Sequence, residues 1–231
     1  MSPKLIVALD FPDTISAYSL VDQLNPEHCA LKVGLEMYTL FGPGFVRSLM
    51  DRQFKIFLDL KFHDIPNTVA KACRAGAELG VWMMNVHASG GFNMMKAAHE
   101  ALHEYGSKRP LLIAVTVLTS IEGSELASLG VSKPLAKQVR DLAALTQSAG
   151  LDGIVCSAME CADIKEALGQ KFLTITPGIR LAEDAKDDQV RVITPEQAIK
   201  AGSDFLVVGR PITRSAQPAK VVEQILTSIS G

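Results

Sequence analysis

Eight short apolar runs punctuate this chain, and longer stretches with helical spacing lie between them. The runs are KLIVALD (4–10), CALKVGL (29–35), KIFLDLK (55–61), VWMMNVHAS (81–89), LLIAVTVL (111–118), DGIVCSA (152–158), FLTITPGI (172–179) and DFLVVGR (204–210). Near-continuous apolar runs of this length read as strands covered on both faces, which means a parallel sheet sheathed by its crossover helices. In TVAKACRAGAELG, the residues Val69, Ala72, Cys73, Ala77 and Leu79 roughly follow a 3.6-residue period, and Gly80 stops the helix. KPLAKQVRDLAALTQSAG and AKVVEQILTSIS carry the same stripe. Eight strand–helix units fill 231 residues with no leftover linker, internal repeat or low-complexity segment. The expected architecture is one (β/α)8 TIM barrel domain spanning residues 1–231, with a doubly wound sheet as the alternative.

Composition narrows the partners. With 48% hydrophobic and 21% charged residues there is ample material for a core, and a net charge of −2 offers no broad basic surface. Nucleic acid and anionic membrane are therefore not expected as partners. The apolar run in MSPKLIVALD is too short for a signal peptide, and no stretch reaches the roughly 18 apolar residues of a membrane span. Cys29, Cys73, Cys156 and Cys161 fall at irregular spacings inside apolar segments, as buried thiols of a reducing compartment do. A cytoplasmic location is the expectation.

Polar residues gather at the C-terminal ends of the strands: Asp10, Lys32, Asp59, Lys61, His87, Thr119, Arg180 and Arg210. Barrel enzymes build their active sites on that face. In KIFLDLKFHDIPNT, alternation points Asp59 and Lys61 the same way, and Asp64 follows three residues on. Neighbouring strands lie about 4.8 Å apart, so Asp10, Lys32, Asp59 and Lys61 can converge on one patch. Alternating signs in the order Lys32–Asp59–Lys61–Asp64 would keep the lysines protonated and the aspartates ionised against desolvation. A purely structural ion-pair network would explain the pairing, but not why every member sits on one face.

A second feature is anion binding. VVGRPIT sets Gly209 after the last strand, followed by Arg210 and by Pro211, which suits the first turn of a helix. Glycine lets backbone N–H groups approach a phosphate, and arginine adds a forked donor. TPGIR (176–180) holds the partner position after the seventh strand, where barrels often complete a phosphate site. LAEDAKDDQV (181–190) reads equally as a solvated connection or as a lid over that phosphate. HEALH (99–103) matches a zinc-binding pattern, but on an alanine-rich outer helix with no downstream ligand it reads as a chance match. His87 reads as a hydrogen-bonded histidine at a strand end, and Cys156 and Cys161 lack the companions of a metal site.

The motifs LDLKFHDIPNT, ALD near the start, LKVG, TVLTS, TPGIR and VVGRPIT occur in order over essentially the whole chain. Together they closely resemble the orotidine 5′-monophosphate decarboxylases of the short bacterial type. The resemblance implies a homodimeric barrel, needing no metal or organic cofactor, that converts orotidine 5′-monophosphate to UMP and CO2. That reaction is the last step of de novo pyrimidine synthesis. Carried over by position, Lys61 is similar to the proton donor to C6, and Asp59 and Lys32 to its partners. Asp64 matches the carboxylate that reaches into the neighbouring subunit's site, and Thr68 would cross with it; Ile65 lies between them in the same motif. Asp10 and Lys32 resemble the groups that hold the ribose hydroxyls. Thr119 or Ser120 falls where the family contacts the pyrimidine, and Pro177, Arg180, Gln189, Gly209 and Arg210 fall on the phosphate side. Sibling enzymes that act on sugar phosphates share the Asp-x-Lys-x-x-Asp core and use Mg²⁺, but lack HDIPNT after the lysine.

Overall fold

The computed structural model describes residues 3–181 and 193–230. Eight parallel strands close on themselves in chain order: β1 (Leu5–Leu9), β2 (Cys29–Gly34), β3 (Ile56–Phe62), β4 (Met83–His87), β5 (Leu111–Val115), β6 (Gly153–Val155), β7 (Leu173–Thr176) and β8 (Phe205–Val208). The closed barrel agrees with the sequence expectation and removes the doubly wound alternative. Gly80 does end the helix Pro66–Leu79, in the left-handed conformation at φ 91° that glycine adopts most readily. Among the described residues no helix is long and apolar enough to cross a membrane.

Alternation along the strands sorts the core into two shells. Leu5, Val7, Leu9, Leu31, Val33, Ile56, Leu58, Met84 and Val86 pack outward under the helices, while Ile6, Ala8, Ala30, Phe57, Met83, Ile113, Ile175 and Val207 form a separate apolar plug inside the barrel. Each large side chain buried in this way contributes about 1.5–3 kcal/mol. Trp82 meets Phe205 edge-on, with ring centroids 5.3 Å apart, beside the same plug. One or two alternations beyond the plug, the same strands present Asp10, Lys32, Asp59 and Lys61. The apolar plug is the floor on which the polar groups stand.

Strand ends are shorter than the sequence runs suggest. β5 stops at Val115 and β7 at Thr176, so Thr119 and Arg180 lie on the following loops. β8 stops at Val208, and Arg210 opens the short helix Arg210–Thr213, with Pro211 in its first turn. Those loops keep apolar residues such as Val117 and Ile179 buried, which is why the runs read as continuous strand.

Two aspartates at the opposite rim act as matched clamps. Asp152, just before β6, accepts both arms of Arg109 at 2.6 and 2.7 Å and the backbone N–H of Leu112 in β5. Asp204, just before β8, accepts Lys165 at 2.6 Å and the backbone N–H of Thr174 in β7. Lys165 is buried and also donates to the carbonyls of Gln170 and Phe172. Lys165→Ala leaves those acceptors unpaired, and Asp204 is partly exposed, which reduces the loss. The expected cost is about 2–3 kcal/mol in urea unfolding with turnover unchanged; a fall in turnover without a fall in stability would contradict a purely structural clamp.

Candidate active site

A cleft of about 300 Å³ opens on the C-terminal face of the barrel. Its lining follows the strand period of two: Ala8 and Asp10 of and beyond β1, Phe57, Asp59 and Lys61 of β3, Val115, Val117 and Thr119 of and beyond β5, and Val207 and Gly209 at β8. One wall is charged. Lys61 Nζ lies 2.8 Å from Asp59 Oδ1, Lys32 Nζ lies 3.1 Å from Asp59 Oδ2, and Lys32 Nζ lies 3.8 Å from Asp10 Oδ1. Within one chain the alternating row is therefore Asp10–Lys32–Asp59–Lys61.

Asp64 is not part of that row. β3 ends at Phe62, and the exposed Asp64 turns its carboxylate onto the backbone N–H of Ile65 at 2.6 Å. Asp64, Ile65 and Thr68 are all exposed and none lines the cleft of its own chain. The row inferred from the sequence differs here because the turn into the helix Pro66–Leu79 carries Asp64 away from the strand face.

Asp59 is the hinge of the electrostatics. Burial would push its carboxyl up, but Lys32 and Lys61, with hydrogen bonds from Lys61 and Asn85, outweigh burial and hold it below the usual 3.8. A carboxylate with only 8% of its residue exposed is thus kept ionised between two ammonium groups. Asn85 is the member that sequence reasoning passed over. It is fully buried, its amide N–H donates to Asp59 Oδ1 at 2.7 Å, and its carbonyl accepts the backbone N–H of Lys61 at 2.8 Å. The signal was available: a lone amide at an inward position of the otherwise apolar VWMMNV.

Lys61 itself is held in the left-handed region at φ 51°. For a residue with a Cβ that costs on the order of 1–2 kcal/mol. It arises where β3 and β4 slip register, from Leu58 opposite Met84 to Phe62 opposite Val86. His87 also faces this end of the barrel, stacked on His63 at 5.5 Å. Burial first, and then the charges of His63 and Lys61, hold its imidazole below the ordinary value. It does not line the cleft.

The remaining wall carries Thr119, Ser120, Pro177, Gly178, Arg180, Gly209 and Arg210. Thr119 is buried and Ser120 exposed, and both reach the cleft. Gly178 takes φ 79°, the one position of TPGIR where the backbone itself calls for glycine. Arg180 is 8% exposed, and its backbone N–H bonds to Ile193, which pairs with Ile179. Gln189 and the stretch 182–190 of LAEDAKDDQV lie outside the described residues. His99 and His103 touch edge-on at 4.7 Å, with no third donor among the described residues to make a metal site. None of the four cysteines is in a disulfide and all are buried, and burial pushes the Cys29 and Cys73 thiols up to about 12.

Comparison with known proteins points the same way as the motifs. The family model described as Orotidine 5′-phosphate decarboxylase / HUMPS family matches residues 3–225. An orotidine 5′-phosphate decarboxylase of Legionella pneumophila strain Paris is 62% identical over 229 residues, covering 99% of this chain and 100% of that protein. One from Tolumonas auensis is 59% identical over 229 residues, covering 99% of each. Among solved structures, the orotidine 5′-phosphate decarboxylase of Lactobacillus acidophilus superposes with a TM-score of 0.89 at 38% identity, with full coverage of both chains. An uncharacterized conserved protein from Geobacillus kaustophilus gives 0.86 at 40% identity, covering 98% of this chain and 100% of that one. The chain belongs to the orotidine 5′-phosphate decarboxylase / HUMPS family.

Proposed function

We propose that this protein decarboxylates orotidine 5′-monophosphate to UMP and CO2 without a metal or organic cofactor, the closing step of de novo pyrimidine synthesis. The observation that carries the reading is the ion-paired row Asp10–Lys32–Asp59–Lys61 on the wall of a cleft of nucleotide scale. The C6–carboxylate bond breaks heterolytically, CO2 departs, and the electron pair stays on C6. The Lys61 ammonium stabilises that developing charge and then gives C6 a proton; the neutral amine regains one from solvent. Because Asp59 already fixes Lys61, little reorganisation accompanies the charge change, and we assign most of the effect to this preorganised field. Asp59 beside the substrate carboxylate adds ground-state repulsion as a smaller effect.

The rest of the cleft fits the other parts of the nucleotide. Asp10 and Lys32 suit the ribose hydroxyls, Thr119 and Ser120 the pyrimidine edge, and Gly209, Arg210, Arg180 and Pro177 the phosphate side, with Gln189 assigned to that side by its motif. Phosphate binding far from C6 supplies energy that orders the reacting groups, so orotidine, the substrate without its phosphate, should lose kcat as well as affinity. The test is the ultraviolet change of orotidine 5′-monophosphate in excess EDTA, with UMP identified as product. Conversion under chelation supports the reading; turnover only of a sugar phosphate, and only with Mg²⁺, would move the protein to the sibling chemistry. Buried cysteines outside any disulfide fit a cytoplasmic setting.

Two copies complete each site in this proposal. Asp64 and Thr68 stand outside their own cleft, and large apolar side chains follow three successive strands there: Leu35 and Leu40 after β2, Ile65 after β3 and Phe92 after β4. That sector suits a self-complementary partner surface. In hybrid dimers of Lys61→Ala with Asp64→Ala subunits, one site receives both intact groups, so statistical mixing should restore about a quarter of wild-type activity. Mixed subunits that stay as inactive as the parents would remove Asp64 from the partner's site.

A further inference from the structure

We propose that Asn85 is a positioning residue for the decarboxylation assigned above, a role that rests on that assignment. Between the paired positions Leu58–Met84 and Phe62–Val86, three residues of β3, Asp59, Leu60 and Lys61, stand opposite Asn85 alone. The backbone ladder is broken there, and the Asn85 side chain takes its place. Its Nδ2 donates to the Asp59 carboxylate and its Oδ1 accepts the Lys61 backbone N–H, the one amide orientation that satisfies both. The amide therefore holds Lys61 at both ends. It fixes the backbone in its left-handed turn, and it fixes the carboxylate oxygen that receives Lys61 Nζ. No aliphatic or purely accepting side chain could do both.

The substitution Asn85→Asp turns this into a pH experiment. A protonated Asp at position 85 can donate to Asp59 as the amide does, whereas an ionised one places two carboxylates face to face. The other groups facing this position are Lys61 of β3, with Lys32 of β2 on the far oxygen of Asp59, and His87 of β4 itself with His63 stacked on it. β5, paired alongside, contributes the apolar Ile113 and Val115. The expected kcat profile of Asn85→Asp is therefore highest at low pH and gains a falling limb over a pH range in which wild type stays level. Asn85→Ser removes both hydrogen bonds, and its kcat should fall on the order of 100-fold with UMP affinity unchanged, since Lys61 Nζ is displaced rather than the cleft.

Wild type, Asn85→Asp and Asn85→Ser are assayed together for kcat against pH, UMP binding and thermal unfolding. The added limb together with the isolated kcat loss supports the role. An Asn85→Ser variant with wild-type kcat, or one that loses UMP affinity in step with kcat, overturns it; so does an Asn85→Asp profile parallel to wild type. Absence of turnover by wild type itself overturns the assigned reaction instead, so the two failures are distinguishable.

Discussion

Lys61→Ala is expected to fold, bind UMP and lose decarboxylation by roughly 10⁴–10⁷-fold. That range is the product of losing a preorganised charge, about 10²–10³, and a positioned proton donor, about 10²–10⁴. Binding should survive because the apolar floor of Ala8, Phe57 and Val207 and the Gly209–Arg210 side do not depend on Lys61. Folding should survive because Asp59 keeps Lys32 at 3.1 Å and the amide of Asn85 at 2.7 Å. Equilibrium binding of UMP and single-turnover kinetics measure the two halves separately. Turnover near wild type would remove Lys61 from the chemistry.

Asp59→Asn should damage both activity and stability. The variant leaves two ammonium groups, each within 3.1 Å of the same carboxylate in wild type, with no charge between them. Breaking a buried ion pair by removing one partner costs about 3–5 kcal/mol, and at roughly 2–4 °C per kcal/mol for a chain of this size the Tm should fall by roughly 6–20 °C. Turnover should drop on the order of 10²–10³-fold as Lys61 loses its anchor. The pH dependence follows from the depressed carboxyl of Asp59. A group whose folded value lies below its unfolded one contributes stability that is fully present above the unfolded value and is lost as pH falls through the folded one. The gap in Tm between wild type and Asp59→Asn should therefore be widest near neutrality and narrow once the pH drops below about 4. A gap that is constant or widens on acidification would contradict an ionised, stabilising Asp59.

The barrel was legible because each strand has to be apolar on both faces, and only helices can cover the outer one. The site was legible where chemistry and strand period coincide, as in Asp59–Leu60–Lys61, which places two opposite charges on one face. It was illegible where tertiary register decides. Nothing local marks the slip between β3 and β4, so neither the left-handed Lys61 nor the bridging part played by Asn85 could be read from spacing. Asp64 illustrates the same limit from the other side. It lies only three residues from Lys61 in sequence, but the chain turns at His63 into the next helix and leaves Asp64 on the surface. Thr119, Arg180 and Arg210 reached the cleft as expected, though from loops and a helix start, because apolar residues beyond the strands stay buried as the chain folds over the barrel mouth.

With Lys61 as donor, an exchangeable proton held on its ammonium ends at C6 of the pyrimidine as CO2 leaves. Conversion of orotidine 5′-monophosphate in D2O with excess EDTA, with the product read by proton NMR, shows whether it does. Proton delivery by Lys61 predicts UMP that has deuterium in place of hydrogen at C6 and retains hydrogen at C5. Failure to form UMP under these conditions, or UMP with no solvent deuterium at C6, would contradict it.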